Sequence, residues 1–393
     1  MWGPGLLVML ADTDAGNVVT AAQAGAKWGY RLLPLVLLLI PVLYMVQELT
    51  VRLGVHTGAG LGELIRARFG RGWASVAGVA LLAATVGSLV TEFTAVAGIG
   101  ELYGVSRWIA LPLAAVGLLM VVTNGAYRRV ERIAIFIGLF ELAFFAVAWV
   151  AHPGLATMLS QAADLPIGDK TFTYLAAAII GAVFNPWMVF YQQSAVAEKK
   201  LQPKDLRSAR WDTFLGALIT QCLTGSVLIA AAATLADDHG QKSISSIGEI
   251  SEALSPLLGV STGRMVFSIG VLGASLVAAI VSSLAFAWGV GELVGYRRES
   301  RLLVANWSYS LYGLAILGAT VGVAVTSDLV WLNIAAQVFN VVLLPFVFGF
   351  LIILSVGVLP GPLRPHGLYL RLIIVFAGLV SALGLFAGLH GVI

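Results

Sequence analysis

The sequence predicts an all-α membrane protein of about eleven transmembrane helices, the first and sixth of them broken, and three observations predict it. Hydrophobic residues make up 59% of the chain and charged residues 11%, against about a quarter charged in a soluble domain, and the mean hydropathy is +0.94. Residues 32–47, 171–197 and 265–288 contain no Asp, Glu, Lys or Arg, and they run near or above the roughly 20 residues that cross about 30 Å of hydrocarbon. Finally, two of the apolar segments are interrupted near their middles by polar or helix-breaking residues: the first, which also carries Asp12, breaks at Asp14-Ala15-Gly16-Asn17, and the sixth at Asn185-Pro186.

Apolar runs between charged or Gly/Pro-rich breaks centre the spans on residues 8–24, 32–51, 72–99, 108–122, 133–151, 172–197, 213–235, 266–288, 303–325, 329–354 and 370–389. Hardly any chain is left for a soluble domain. The polar stretches 237–255 and 198–210 are loop-sized, and residues 58–68 read as a short amphipathic helix at the interface. Met1-Trp2-Gly3-Pro4-Gly5 carries no positive charge, so no cleaved secretory leader is expected. The sole cysteine, Cys222, has no intrachain partner.

Orientation follows from Lys and Arg. With the N-terminus cytoplasmic, 17 of the 23 basic residues fall in inner loops, including Arg52, Arg128, Arg129, Lys199, Lys200, Arg297 and Arg364, and 6 fall outside. That is a positive-inside distribution, and an odd number of spans then puts the C-terminus outside. The chain is expected in the plasma, or bacterial inner, membrane.

The first interruption sets two carboxylates and an amide where a spanning helix carries apolar side chains. A charge near the bilayer centre costs about 2.5–3.5 kcal/mol even on insertion scales, so Asp12 and Asp14 are expected to face a protein-lined or wet cavity, with a cation as the natural partner. The alternative is a polar cap ahead of a helix starting at Asn17. In the sixth span Pro186 removes a backbone hydrogen bond and biases Asn185 away from helical geometry, which by itself also describes a simple proline kink. Two such breaks, five spans apart and entered from opposite sides of the membrane, are the pattern of inverted-repeat transporters with a midplane site. Residues 1–155 and 165–357 are then the two repeats, and residues 366–393 an appended eleventh span.

Unwound helices free main-chain carbonyls, and carboxylate, carbonyl and amide oxygens together suit a hard divalent cation. The expected donors are Asp14, Asn17, Asn185 and the carbonyls near Ala11 and Ala182. The nearest sulfur, on Met188, lies about a turn beyond the break, so the set favours Mg2+ or Mn2+ over softer ions. The ion is cargo, and no resident cofactor is expected. Histidines 56, 152, 239, 366 and 390 fall in loops or near span ends, which leaves no mid-membrane histidine relay. Glu92 either lines the ion path or pairs with a polar neighbour; Glu101 lies near the outer end of its span and Glu141 reads as structural. Asp12 either draws cations in or pairs with a basic residue.

Gly3-Pro4-Gly5-Leu6-Leu7, Asp14-Ala15-Gly16-Asn17 and Ala22-Gln23-Ala24-Gly25-Ala26 resemble the first span of the Nramp family of divalent-metal transporters, whose Asp-Pro-Gly-Asn signature is altered here only by Ala15. Thr57-Gly58, Leu61-Gly62-Glu63-Leu64 and Leu344-Pro345-Phe346 extend the resemblance across spans one to ten. It implies a LeuT-type 5+5 inverted repeat and an ion held by Asp14, Asn17, the Ala11 and Ala182 carbonyls and position 185. Three departures stand out. The family's Met-Pro-His reads Asn185-Pro186-Trp187, its paired acids in span three become Glu92 and Ala95, and its span-ten glutamine falls at Leu343, with Asn340 a turn earlier as a substitute. Loss of the sulfur and of the proton relay is the pattern of Nramp-related magnesium transporters. The resemblance therefore implies uptake of Mg2+, with Mn2+ also carried, by alternating access without proton coupling. An inward divalent ion gains about 4.6 kcal/mol across 100 mV. The alternatives are a proton-coupled Mn2+/Fe2+ transporter of the same type and, from another class, a divalent cation channel. A sodium-coupled amino-acid carrier would set Asp14 against a substrate carboxylate, and an enzyme is not expected, since a membrane hydrolase would need membrane-placed histidines. The expected partners are the divalent ion and the bilayer, with no nucleic acid, and the chain is expected to be a monomer.

Overall fold

Helix α1 spans Pro4–Asp12 and α2 spans Ala15–Trp28, and the residues between them explain why they are two helices. Proline in the first turn suits the start of α1, where its missing N–H is not needed, and Gly3 offers no side-chain cap of its own. Thr13 (φ −77°, ψ 57°) and Asp14 (φ −91°, ψ 177°) leave helical geometry. Asp14 Oδ1 then accepts from the Asn17 N–H at 2.8 Å, so Asp14 is the N-cap of α2. The break thus lies at Thr13-Asp14 and not across residues 14–17, because Ala15, Gly16 and Asn17 are drawn into the first turn of the capped helix.

The computed structural model describes residues 3–123, 136, 139–150, 154–236, 243–254, 258–295 and 305–391, and among these there is no strand. After α2 come α3 (Leu33–Thr57), α4 (Leu61–Leu102), α5 (Arg107–Thr123), α6 (Ala143–Val150) and α7 (Leu155–Ala163). The second half comprises α8 (Lys170–Val183), α9 (Pro186–Glu198), α10 (Leu206–Thr234), α11 (Val260–Val294), α12 (Ala305–Val325), α13 (Leu329–Val358) and α14 (Gly367–Gly391). Helices α8 and α9 break at Phe184 (φ −115°, ψ 63°) and Asn185 (φ −63°, ψ 124°), with Pro186 opening α9. The interruption expected at Asn185-Pro186 is therefore a true break.

Each expected span other than the fifth falls on one helix or one broken pair; the fifth lies partly outside the described residues. Among the described residues seven helices, with Lys170–Glu198 counted as one, are long and apolar enough to cross a membrane, while Arg107–Val122 and Ser310–Val325 are shorter. Gly70 (φ 82°, ψ −178°) bends α4, a backbone that glycine tolerates, and so separates an interfacial stretch from the span proper.

Large apolar side chains point outward, as a bilayer rather than water requires: Val79, Leu113, Leu314 and Leu379 are each at least 60% exposed. The broken pair α8/α9 is nearly all buried. It packs against α11, α13, α3 and α14, while α1 and α2 pack against α10. These contacts put both breaks in the centre of the bundle. Helix α14 is tied on at one end by Glu48 of α3, which accepts from Arg52 (2.5 Å), Arg210 of α10 (2.6 Å) and the Tyr369 hydroxyl of α14 (2.8 Å).

Candidate metal centre

A helix break leaves terminal N–H and C=O groups that need partners, and here the two breaks supply partners to each other. Asn17, in the first turn of α2, donates through Nδ2 to the Asp12 carbonyl at 2.5 Å and to the Ala182 carbonyl of α8 at 3.3 Å. Asn185 donates through its own Nδ2 to the same Ala182 oxygen, also at 3.3 Å. Two side chains from breaks more than 160 residues apart in sequence thus meet on one carbonyl. Asn17 Oδ1 in turn accepts from Thr224 of α10 at 3.4 Å.

The carboxylate side of the centre comes from α2 and α4. Asp14 is fully buried; one oxygen caps α2 and the other, Oδ2, has no hydrogen-bond partner. Glu92 of α4, 1% exposed, accepts from the Ala15 N–H at 3.4 Å through Oε2 and from the Thr91 hydroxyl at 3.2 Å through Oε1. Glu92 thus meets the break at the residue that follows Asp14, through the Ala15 N–H. Glu92 also takes the N–H that a continuous helix would have given to the Ala11 carbonyl. That leaves Ala11 O among the terminal carbonyls of α1, beside the centre.

Helix α13 closes the third side with Asn340, which the sequence reading offers as a substitute for position 343, and with Asn333 and Gln337, which it does not single out. Asn333, Gln337 and Asn340 are all fully buried and are spaced four and three apart, so they share one face. Asn340 Nδ2 donates to Asn185 Oδ1 at 2.6 Å and to Gln337 Oε1 at 3.0 Å. Asn333 donates to the Thr94 hydroxyl at 2.8 Å. Gln337 fits between the two breaks because both neighbours are glycine. A Cβ on Gly16 would stand 1.7 Å from Gln337 Nε2, and one on Gly181 would stand 1.8 Å from the Gln337 carbonyl. The polar group that α13 brings to the centre is therefore Gln337 with Asn340, and not position 343. The three-residue offset from the Pro-Phe pair misplaces it, whereas a polar stripe at helical spacing in a helix of high hydropathy is the signal that finds it.

The other acids and histidines separate from the centre. Glu101 pairs with Arg107 at 2.5 Å and is half exposed. His56 and His366 are exposed at a helix end and in a loop. The side chains of Glu141, His152, His239 and His390 lie outside the described residues. Met188 is buried in the first turn of α9, where its N–H donates to the Asn185 carbonyl at 3.0 Å. Among the described residues no basic side chain pairs with Asp12, whose two carboxylate oxygens are buried without a partner.

Chemically the centre is oxygen-rich. Among the described residues no three His, Cys, Asp or Glu side chains group as a metal cluster. A cation held here therefore draws on main-chain and amide oxygens beside a carboxylate, a donor set suited to hard ions.

Comparison with known proteins agrees with this architecture. Residues 5–388 match the family model described as natural resistance-associated macrophage protein-like. A protein named divalent metal cation transporter MntH from Mesorhizobium japonicum is 27% identical over 342 residues, covering 83% of this chain and 74% of that one. MntH 1 of Pseudomonas aeruginosa is 30% identical over 358 residues, covering 85% and 76%. The crystal structure of the Eremococcus coleocola manganese transporter superposes with a TM-score of 0.80 over 98% of this chain and 85% of that one, at 17% identity, a likeness of fold. The family match runs nearly the whole length of the chain and through both helix breaks, so this is a multi-pass membrane protein of the Nramp family with its LeuT-like fold.

Proposed function

We propose that the chain carries divalent metal cations across the membrane by alternating access, taking Mg2+ and also Mn2+, without coupling to protons. The observation that carries this reading is the meeting of the two helix breaks on the Ala182 carbonyl, reached by Asn17 and Asn185, beside the unpartnered Oδ2 of Asp14. The ligand set is Asp14, Asn17, Asn185 and the carbonyls of Ala11 and Ala182, with Gln337 and Asn340 as neighbours that steady Asn185. The curated relatives named as divalent metal cation transporters support the substrate class. Asn185 supports the choice of ion: an amide oxygen stands where the family carries a methionine sulfur, and hard oxygen sets favour Mg2+ and Mn2+ over softer metals.

In the same reading, residues 1–155 and 165–357 are the inverted repeats, each contributing one broken helix, and residues 366–393 are an addition. The N-terminus is cytoplasmic and the C-terminus external, the chain acts as a monomer in the plasma or inner membrane, and the ion is cargo. The rival reading is proton-coupled carriage of Mn2+ or Fe2+, and the observation in its favour is the buried Glu92 carboxylate at the α1–α2 break, where it accepts from the Ala15 N–H. Flux into liposomes carrying ion-sensitive and pH-sensitive dyes separates the two. Mg2+ entry without internal acidification is the expected result. Mn2+ movement strictly tied to protons favours the rival, and single-channel currents or the absence of any divalent flux overturns both.

A further inference from the structure

Asp12 has no role in the ligand set above, yet it is the residue whose environment is hardest to account for structurally. It is fully buried, and neither carboxylate oxygen has a hydrogen-bond partner among the described residues. A buried carboxylate without a counter-charge or hydrogen bond costs several kcal/mol, so a fold that merely tolerated it would gain from losing it.

Local geometry explains how it comes to matter. On a continuous helix residues two apart point to opposite sides. Here the one residue between them, Thr13, has φ −77° and ψ 57°, neither helical nor extended, so the rule that sets them on opposite sides does not hold across the break. Both acids are fully buried there. Asp12 is already at the centre through its main chain, since its carbonyl accepts from Asn17 Nδ2, the same amide that touches Ala182. Asp14 Oδ2 and Asn340 Oδ1 are buried and unpartnered as well. Among the described residues these acceptor oxygens lack a donor, and the Gln337 amide nitrogen beside them lacks an acceptor.

We propose that Asp12 supplies a second anionic group to this cavity, so that the two carboxylates flanking the α1–α2 break together neutralise one doubly charged ion. Asp14 holds the ion, and Asp12 holds it or one of its bound waters. Monovalent ions leave one of the two charges uncompensated, which makes the pair a device for valence selectivity.

The proposal rests on the divalent-cation reading above, and equilibrium binding of Mn2+ and Mg2+ to the purified full chain tests both separately. If the wild type binds neither ion, the parent reading fails. If it binds and Asp14→Asn abolishes binding, Asp12→Asn decides the matter. At least tenfold weaker binding of both ions, largely restored in Asp12→Glu, is the expected result, whereas unchanged affinity in Asp12→Asn overturns the proposal while leaving the parent reading intact. Should Asp12→Asn not fold, infrared difference spectra of the wild type with isotope-labelled aspartate remain decisive. Mn2+ addition shifts two aspartate carboxylate bands if Asp12 takes part, and one if it does not.

Discussion

Asn17 and Asn185 donate to one acceptor, the Ala182 carbonyl, each at 3.3 Å. This shared oxygen is where the two halves of the chain touch at mid-bundle. Each amide carries its oxygen on the same carbon as the donating nitrogen, so rotation about one side-chain bond exchanges a donor for an acceptor. On the proposed reading, a cation between them would exchange these N–H contacts for amide-oxygen ligands. The predictions below follow from this meeting of the two breaks.

Asp14 does two jobs, capping α2 through Oδ1 and presenting Oδ2 to the cavity, and the variants separate them. Asp14→Asn keeps an effective N-cap but removes the charge. Loss of one partner from a buried ionic contact is worth about 3–5 kcal/mol, so divalent binding is expected to fall by more than about 100-fold while thermal stability changes little. Asp14→Ala loses binding and also about 1 kcal/mol of cap stability. Calorimetric binding beside melting curves checks both, and a variant that binds normally removes Asp14 from the ligand set.

Asn185→Met replaces an amide oxygen by a thioether and also deletes the acceptor of Asn340 Nδ2. Softer metals gain, so Cd2+ is expected to compete with Mg2+ more strongly in uptake measurements. An unchanged ratio of inhibition constants counts against Asn185 as a ligand.

Gly181 faces the main chain of Gln337, where a Cβ would meet the carbonyl oxygen at 1.8 Å. Backbone cannot swing aside, so Gly181→Ala must push α8 from α13, and overpacking of this kind costs about 1–3 kcal/mol. Gly313 in α12 has nothing within 4 Å of its Cβ position, and Gly313→Ala is expected to be neutral or stabilising by up to about 1 kcal/mol. Unfolding curves of the two variants should diverge in sign or size; equal effects would refute the close packing of α8 on α13.

The start of α1 depends on a neighbour. Asp212 of α10 accepts from the N–H groups of Gly3 (3.1 Å) and Leu6 (3.0 Å). Asp212→Ala is expected to destabilise by about 1–3 kcal/mol and to raise amide hydrogen exchange in the first turn of α1 ahead of the rest of the bundle. Exchange unchanged at residues 3–6 would show that the contact does not hold the helix.

Much of this architecture is legible in the sequence, and the particular residues show why. The apolar runs define spans because hydrocarbon thickness sets their length. The two breaks stand out because mid-span acids and an Asn-Pro step each disfavour a continuous membrane helix, although Pro41, Pro112 and Pro345 sit inside unbroken ones. The polar-cap alternative was partly right as well, since Asp14 caps α2 while α1 precedes it. The register of the first break was off by one residue, because capping chemistry pulls Ala15, Gly16 and Asn17 into the helix. Gln337 escaped because its partners, Gly16 and Gly181, are far away in sequence and carry no side chain to advertise a contact. In the Glu48, Arg52, Arg210 and Tyr369 cluster, only the Glu48–Arg52 pair has a helical i,i+4 spacing in the chain; Arg210 and Tyr369 come from two other helices.

The most direct test of the account is anomalous diffraction from crystals of the chain soaked in Mn2+. The account predicts one peak between Asp14 and Asn185, in direct contact with oxygen at about 2.0–2.2 Å or bridged to it by water. A strong peak elsewhere in the membrane-spanning bundle, with none at the two breaks, would contradict it.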